Sequence, residues 1–463
     1  MINNLWHTYV EEFQCLFSRA MATEFRTHAE PIEPSLPEVH STVSVSQSPI
    51  YWRRLLGFLG PGFLISVGYM DPGNWATDIA GGSRFGYTLL FVIMASNLTA
   101  VLLQSLSLKL GVATERDLAQ ICHEAYGRKV SFALWIGAEI AIAACDLAEV
   151  IGSAIALNLL FHIPLFYGVL ITGLDVLLIL LLQRWGFRWV EALVIALIGT
   201  IIAMFGVQMF LSRPEYWPVL RNLFIPSASI VTNPGMLYIA IGILGATVMP
   251  HNLYLHSSIV QSRNYKRTPA GKREAIFFAN VDSALALTVA LFVNAAILIV
   301  AAAVFHRRGL FDVAAIQDAY KLLSPLLGAA GASTLFAVAL LASGQNSSIT
   351  GTLAGQVVME GFIHLKVSPW MRRMITRTLA IIPTIIVVAI NGEQGTEKLL
   401  ILSQVILSLQ LSFAVVPLVM FTGSRKWMGE IVNARWLQVL AWTTAAVIAG
   451  LNAWLLIETA MGR

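Results

Sequence analysis

Charge is scarce in this chain: of 463 residues only 12% are Asp, Glu, Lys or Arg, about half the share of an ordinary soluble domain. With 57% apolar residues and a mean hydropathy of +0.72, that excludes a soluble enzyme or a nucleic-acid-binding domain. It predicts an all-α polytopic protein whose large partner is the lipid bilayer, with no nucleic acid. Cysteine is equally sparse. Cys15, Cys122 and Cys145 lie far apart with no CxxC or Cys/His spacing, which excludes a disulfide framework and a zinc site and leaves packing as their role. The first 50 residues hold no long apolar run behind a basic start, so no cleavable signal peptide is expected. Neither HExxH nor GxSxG occurs, which removes two signatures of an intramembrane hydrolase.

What the chain does have is long apolar runs. A window of about 19 residues finds eleven candidate spans, near 57–82, 88–108, 132–160, 164–183, 190–211, 236–260, 281–304, 333–362, 375–390, 399–422 and 437–460. The ninth is short for a hydrocarbon core of about 30 Å. With the N-terminus inside, 22 of the 30 Lys and Arg residues fall on inner segments, as expected of loops kept cytoplasmic by positive charge. The outer loop 306–333 carries no N-x-S/T sequence, which favours a bacterial inner membrane over a eukaryotic surface. Residues 1–51 stand apart as a cytoplasmic extension before a membrane domain of residues 52–463. Ile2, Leu5, Trp6, Tyr9, Phe13, Leu16 and Phe17 recur at helical spacing, which fits a short helix on the membrane surface, but Glu11 and Glu12 weaken attraction to anionic lipid and favour an extension dispensable for transport. The Pro/Ser/Glu-rich stretch 30–49 reads as a flexible linker.

Two spans carry their own breakers. The run 58–79 holds Asp71-Pro72-Gly73-Asn74 at its centre, and the run 236–259 holds Ala246-Thr247-Val248-Met249-Pro250-His251. Pro72 and Pro250 lack the N–H that a helix interior needs, so carbonyls one turn back lose their partners. At bilayer depth such a break is tolerated only where it lines a cavity or a bound ion. Paired interrupted helices in corresponding positions point to a transporter's substrate site. The breaks fall in the first and sixth spans, and five is odd, so the second set of five enters with opposite polarity. This is the topology of a five-plus-five inverted repeat, about 55–212 and 234–422, with a further span at 437–460.

Asp71 offers a carboxylate, Asn74 an amide oxygen, Ala246 a carbonyl freed by Pro250, and Met249 a thioether. An all-oxygen set would suit Mg²⁺ or Ca²⁺, whereas a thioether favours softer transition metals. The carbonyl ends of the broken helices add partial negative charge to that of Asp71, so Mn²⁺ or Fe²⁺ fits better than an alkali ion. An aspartate at mid-bilayer costs roughly 2.5 to 3.5 kcal/mol on insertion scales, which argues against a mere turn. Two rival readings stay open: a sodium- or proton-coupled amino-acid carrier on the same scaffold, which Asp71 disfavours by repelling a carboxylate, and a metal channel.

The third span carries Glu139, Asp146 and Glu149. Glu139 and Asp146 share a helix face, and Glu149 lies about 60° further round. Such a stripe reads either as a proton relay or as a structural network. His251 follows the second break and His256 lies five residues on; each can titrate near neutral pH or serve as a hydrogen-bonded core residue.

Asp71-Pro72-Gly73-Asn74 together with Gly245-Ala246-Thr247-Val248-Met249-Pro250-His251 resembles the paired signature of the Nramp family of proton-coupled divalent metal transporters, bacterial manganese-transporter type. A third stretch, Gly344-Gln345-Asn346-Ser347-Ser348-Ile349-Thr350-Gly351-Thr352-Leu353-Ala354-Gly355-Gln356 through Met359-Glu360-Gly361, is similar to the family's motif around the eighth helix. The resemblance covers roughly residues 52–460. It implies a LeuT-like fold of eleven helices with discontinuous helices one and six. It also implies Mn²⁺ or Fe²⁺ as substrate, H⁺ as co-substrate, no resident cofactor and no enzymatic activity; a monomer is expected. By the same resemblance the metal ligands are Asp71, Asn74, the Ala246 carbonyl and Met249, the last absent from branches that move magnesium or aluminium. The proton path takes in Asp146, Glu149, His251, Glu139 and His256, with Arg373 at its inner exit. Gln404 approaches the metal when the site closes. Ser412 and Asn346 depart from the family's usual proline and serine.

Overall fold

The structure, a computed structural model, describes residues 34–46, 48–173, 186–313, 315–329, 331–364, 369–391 and 394–461, with some side chains of the last two stretches left out. The expected surface helix over residues 2–17 and Cys15 lie outside them. Among the described residues helices fall at each expected span, the fourth over its opening alone. The first span is Pro61–Ser66 with a 3₁₀ turn Val67–Met70, then Pro72–Phe85. The second is Leu90–Thr114, the third Arg128–Phe161, and the fourth opens with Leu165–Thr172. Phe187–Ser212 is the fifth, and Pro234–Thr247 with Pro250–Ile259 the sixth. Pro269–Val304, Ala332–Ile363, Pro369–Asn391, Gln394–Thr422 and Arg435–Ala460 complete the set. Among the described residues seven helices are individually long and apolar enough to cross a membrane.

The third and eighth spans pack along each other, the seventh lies against the second half of the first, and the tenth touches both the third and the sixth. The two broken helices are thereby enclosed: every residue of Pro250–Ile259 is buried, and so is every residue of Pro72–Phe85 as far as Ser83. Large apolar side chains such as Phe132, Ile140, Ile202, Phe210, Phe292 and Trp454 instead face outward from the third, fifth, seventh and eleventh spans. Contiguous apolar surface of this kind is what lipid covers.

Helix bounds differ from the hydropathy reading where polar residues continue a helix beyond the apolar core. The seventh runs from Pro269, not 281, because Thr268 caps it by accepting from the Gly271 N–H. The ninth covers Pro369–Asn391, 23 residues rather than 16, and is long enough for the bilayer. The tenth continues through Ser412 with Pro417 inside it.

One end of the bundle gathers the cations. Arg54 pairs with Glu274, Lys272 with Glu115, and Arg188 and Arg263 both with Glu191. Arg263 is fully buried; its Nη1 lies 2.7 Å from Glu191 Oε1, and its Nη2 donates to the Leu59 carbonyl at 2.6 Å. Asp282 accepts from the Gly60 and Gly62 N–H groups at 3.2 and 2.6 Å. Gly60 holds φ +138°, and a Cβ there would overlap the Glu191 and Arg263 side chains. The network therefore fixes a bend ahead of Pro61 that only glycine allows. Arg263→Leu leaves Glu191 buried beside the half-exposed Arg188 alone and should cost about 3 to 5 kcal/mol, whereas Arg263→Leu with Glu191→Leu should recover most of the loss. Thermal unfolding in detergent checks this; a single variant as stable as the wild type would refute it.

The expectation of a flexible linker fails over residues 34–46. Leu36, Val39 and Val43 are buried, and Val43–Ser44 forms a parallel bridge with Arg263–Asn264. Composition misled here because the apolar residues, though few, recur at a spacing of three and four and fall on one side.

Candidate metal centre

Both breaks form as helix starts. Asp71 is extended (φ −70°, ψ 166°) and caps Pro72–Phe85, its Oδ1 accepting from the Asn74 N–H at 2.8 Å. Pro72 occupies the first helical position, where no N–H is missed. Met249 is likewise extended (φ −72°, ψ 124°) ahead of Pro250, and it has no side-chain cap. Upstream, the turn Val67–Met70 and the helix Pro234–Thr247 each bring one carbonyl, of Gly68 and of Ala246, to Asn74. The Nδ2 of Asn74 lies 2.7 Å from Asp71 Oδ1, 3.1 Å from the Ala246 carbonyl and 3.3 Å from the Gly68 carbonyl. Three oxygens from both broken helices thus converge on one donor. Turning the Asn74 amide over would present its Oδ1 to the same centre, making four oxygens around a cation.

The Met249 side chain completes the cluster. Its sulfur accepts from Asn252 Nδ2 at 3.7 Å and would lie 3.1 Å from a Cβ on Gly68. Asp71, Asn74, Ala246 and Met249 are each at most 1% exposed. Several buried polar atoms here have no hydrogen-bond partner: Asp71 Oδ2, Thr247 Oγ1, Asn294 Oδ1 and Gln404 Oε1. Leaving such atoms unpaired is costly, and a cation bound at Asp71 would satisfy its unpartnered Oδ2. Gln404 reaches the first break, since a Cβ on Gly73 would overlap its side-chain amide. Asn294 donates to the Tyr69 carbonyl at 2.7 Å and to Asn74 Oδ1 at 3.4 Å.

The acidic stripe divides. Asp146 and Glu149 are buried, and both converge on Gly351 of the eighth span, where a Cβ would lie 3.0 Å from Asp146 Oδ1 and 3.1 Å from Glu149 Oε1. Glu139 sits further along the helix, half-buried, accepting from the Trp135 indole N–H at 3.0 Å. Cys145 bridges the gap to the metal centre: it packs with Met249 and Leu407, and its thiol donates to Glu149 Oε1 at 3.6 Å. His251 is buried with neither ring nitrogen hydrogen-bonded. His256 Nδ1 lies 2.8 Å from Gln104 Oε1, and Gln104 donates to the Tyr69 hydroxyl at 2.7 Å. Arg373 belongs to the ninth span, but its side chain lies outside the described residues.

The profile of the Nramp family, natural resistance-associated macrophage protein-like, matches residues 62–458. The chain belongs to the Nramp family. Among Nramp relatives, the divalent metal cation transporter MntH of Nostoc sp. is 62% identical, over 93% of this chain and 97% of its own length. That of Mesorhizobium japonicum is 60% identical, over 95% and 96%. A crystal structure of the Eremococcus coleocola manganese transporter superposes with a TM-score of 0.85 at 46% identity, covering 92% of this chain and 90% of that one. Mhp1, a nucleobase-cation-symport-1 family transporter, shares the fold at 13% identity with a TM-score of 0.60, covering 92% and 96%. This Nramp chain is therefore a multi-pass membrane transporter with the LeuT-like arrangement.

Gln104, Asn294, Thr247 and Cys145 were not singled out by sequence reasoning. The amides had a visible signal, since Asn294 stands alone in an apolar run and Gln104 lies in a leucine-rich one, where a polar side chain is expensive unless it faces the bundle interior. Cys145 had none.

Proposed function

We propose that this chain imports Mn²⁺ and Fe²⁺ across a bacterial inner membrane by proton symport and alternating access, acting as a monomer with its N-terminus in the cytoplasm. The observation that carries the reading is the convergence of Asp71 Oδ1 and the Ala246 and Gly68 carbonyls on Asn74, beside the Met249 sulfur. Relatives of 60% identity or more named divalent metal cation transporters support the substrate class.

The metal sheds most of its water onto Asp71, Asn74, the Ala246 carbonyl and Met249. The two carbonyl ends supply partial negative charge that one carboxylate alone does not. A dication bound to the Asp71 carboxylate displaces the proton that carboxyl carried, and Glu149 and Asp146 receive it by way of the Cys145 side of the third span, with Arg373 at the exit. His251 and His256 flank the second half of the sixth span as further proton carriers, and Glu139 serves at the margin of the route. Gln404, pressed against Gly73, closes over the metal. The basic end of the bundle is the cytoplasmic end, as the loop charges require.

The test is a metal panel in proteoliposomes, Mn²⁺, Fe²⁺, Cd²⁺, Ca²⁺ and Mg²⁺, with and without an inward proton gradient. Saturable Mn²⁺ and Fe²⁺ uptake that the gradient stimulates is expected. Uptake indifferent to the gradient would overturn the symport, and linear flux without saturation would favour a channel.

A further inference from the structure

Residues 34–46 cross the basic end of the bundle and join parts that transport would have to separate. On one side they hold the eighth span, an unbroken helix packed along the third. The Leu36 N–H donates to Glu360 Oε2 at 2.9 Å, and Gln356 Nε2 donates to Glu38 Oε1 at 2.9 Å while also reaching Glu360 Oε1 at 3.0 Å. On the other side they hold the end of the sixth span. The Ser41 N–H donates to the Gln261 carbonyl at 3.0 Å, Arg267 donates to Ser41 Oγ at 3.0 Å, and Val43 and Ser44 pair with Arg263 and Asn264. Ser258 Oγ reaches the Ser35 carbonyl at 3.4 Å. Val45 packs on the Leu55, Phe58 and Val260 cluster that leads into the first span.

We propose that residues 34–46 are a latch on the cytoplasmic gate, holding the second half of the sixth span against the eighth span until the metal path opens inward. This rests on the transport reading above. The geometry compels a choice: if Pro250–Ile259 moves relative to Ala332–Ile363, either the Leu36 and Glu38 contacts or the Ser41 to Ser44 contacts must break. The segment is fit for release. Its contacts are a handful of hydrogen bonds and four apolar side chains, and Leu36 and Ser41 hold φ of +55° and +56°, conformations that non-glycine residues keep only under external constraint. Opening lets both relax, which offsets part of the lost contact.

Leu36→Glu sets a carboxylate beside Glu360 in a buried slot and expels the latch; Gln356→Ala loosens it more mildly. Hydrogen–deuterium exchange in nanodiscs should show the amides of residues 250–262 exchanging about tenfold faster in Leu36→Glu and about threefold faster in Gln356→Ala, with Phe187–Ser212 unchanged in both. In proteoliposomes the KM for external Mn²⁺ should rise about tenfold with the maximal rate within about twofold, because fewer molecules rest in the outward-competent state. Wild-type exchange in both variants overturns the latch, and so does faster exchange in Gln356→Ala that extends to Phe187–Ser212. Absence of Mn²⁺ uptake by the wild type would overturn the transport reading instead, leaving the exchange result to decide the latch.

Discussion

Asp71→Ala is expected to abolish Mn²⁺ uptake, with external metal affinity reduced at least about 100-fold, near 3 kcal/mol. Asp71 is fully buried and supplies the formal charge at the centre; Asn74, the Ala246 and Gly68 carbonyls and Met249 are all neutral. A dication placed there without the carboxylate exchanges its water for dipoles alone, and a buried ion without countercharge is strongly disfavoured. The alanine also deletes an N-cap, which by itself costs about 0.5 to 2 kcal/mol of stability. Asp71→Asn separates the two effects, since asparagine caps as well as aspartate does. Both variants are expected to lose uptake, while only Asp71→Ala unfolds at lower temperature in detergent. Mn²⁺ uptake by Asp71→Asn at the wild-type rate would sink the assignment of Asp71 as a ligand.

Both breaks were legible in the sequence because their cause is local. A proline at Pro72 or Pro250 cannot continue the upstream helix, and Asp71 is a natural cap for the next one, so Asp71-Pro72 and Met249-Pro250 mark helix starts wherever they stand. The offset of five spans from the first break to the second also made the inverted repeat readable. What hydropathy could not see is pairing across the chain. Arg263 entered the sequence reading as one loop charge among many, yet it is buried against Glu191, 72 positions away. The same limit hid the docking of residues 34–46, whose partners Gln356 and Glu360 lie more than 300 positions downstream. Glu139, Asp146 and Glu149 show the limit on a single helix. Their shared stripe was correctly a matter of 100° steps, but only the eighth span decides that Asp146 and Glu149 meet at Gly351 while Glu139 pairs with Trp135 near the edge.

Met249→Ala should change which ion is carried more than how fast. Discrimination of Mn²⁺ over Ca²⁺ is expected to fall about tenfold, near 1.4 kcal/mol, with Mn²⁺ uptake at saturation reduced about threefold or less. The sulfur sits against Gly68, close to the oxygens gathered at Asn74, so it adds a soft ligand to a set otherwise made of hard ones. Soft ligands reward transition metals and give Ca²⁺ nothing for the water it surrenders. Deleting the thioether leaves room for a water, which Ca²⁺ accepts more readily than Mn²⁺ gains from it. The side chain also packs on Ala141, Cys145 and Leu407, so the alanine opens a small cavity, and a fall in stability is expected alongside. Met249→Leu fills that space without the sulfur. Competition of Ca²⁺ against Mn²⁺ uptake therefore distinguishes the two roles. If Met249→Leu keeps wild-type selectivity, the methionine is packing and the thioether argument fails; if it admits Ca²⁺ as the alanine does, the sulfur sets the selectivity.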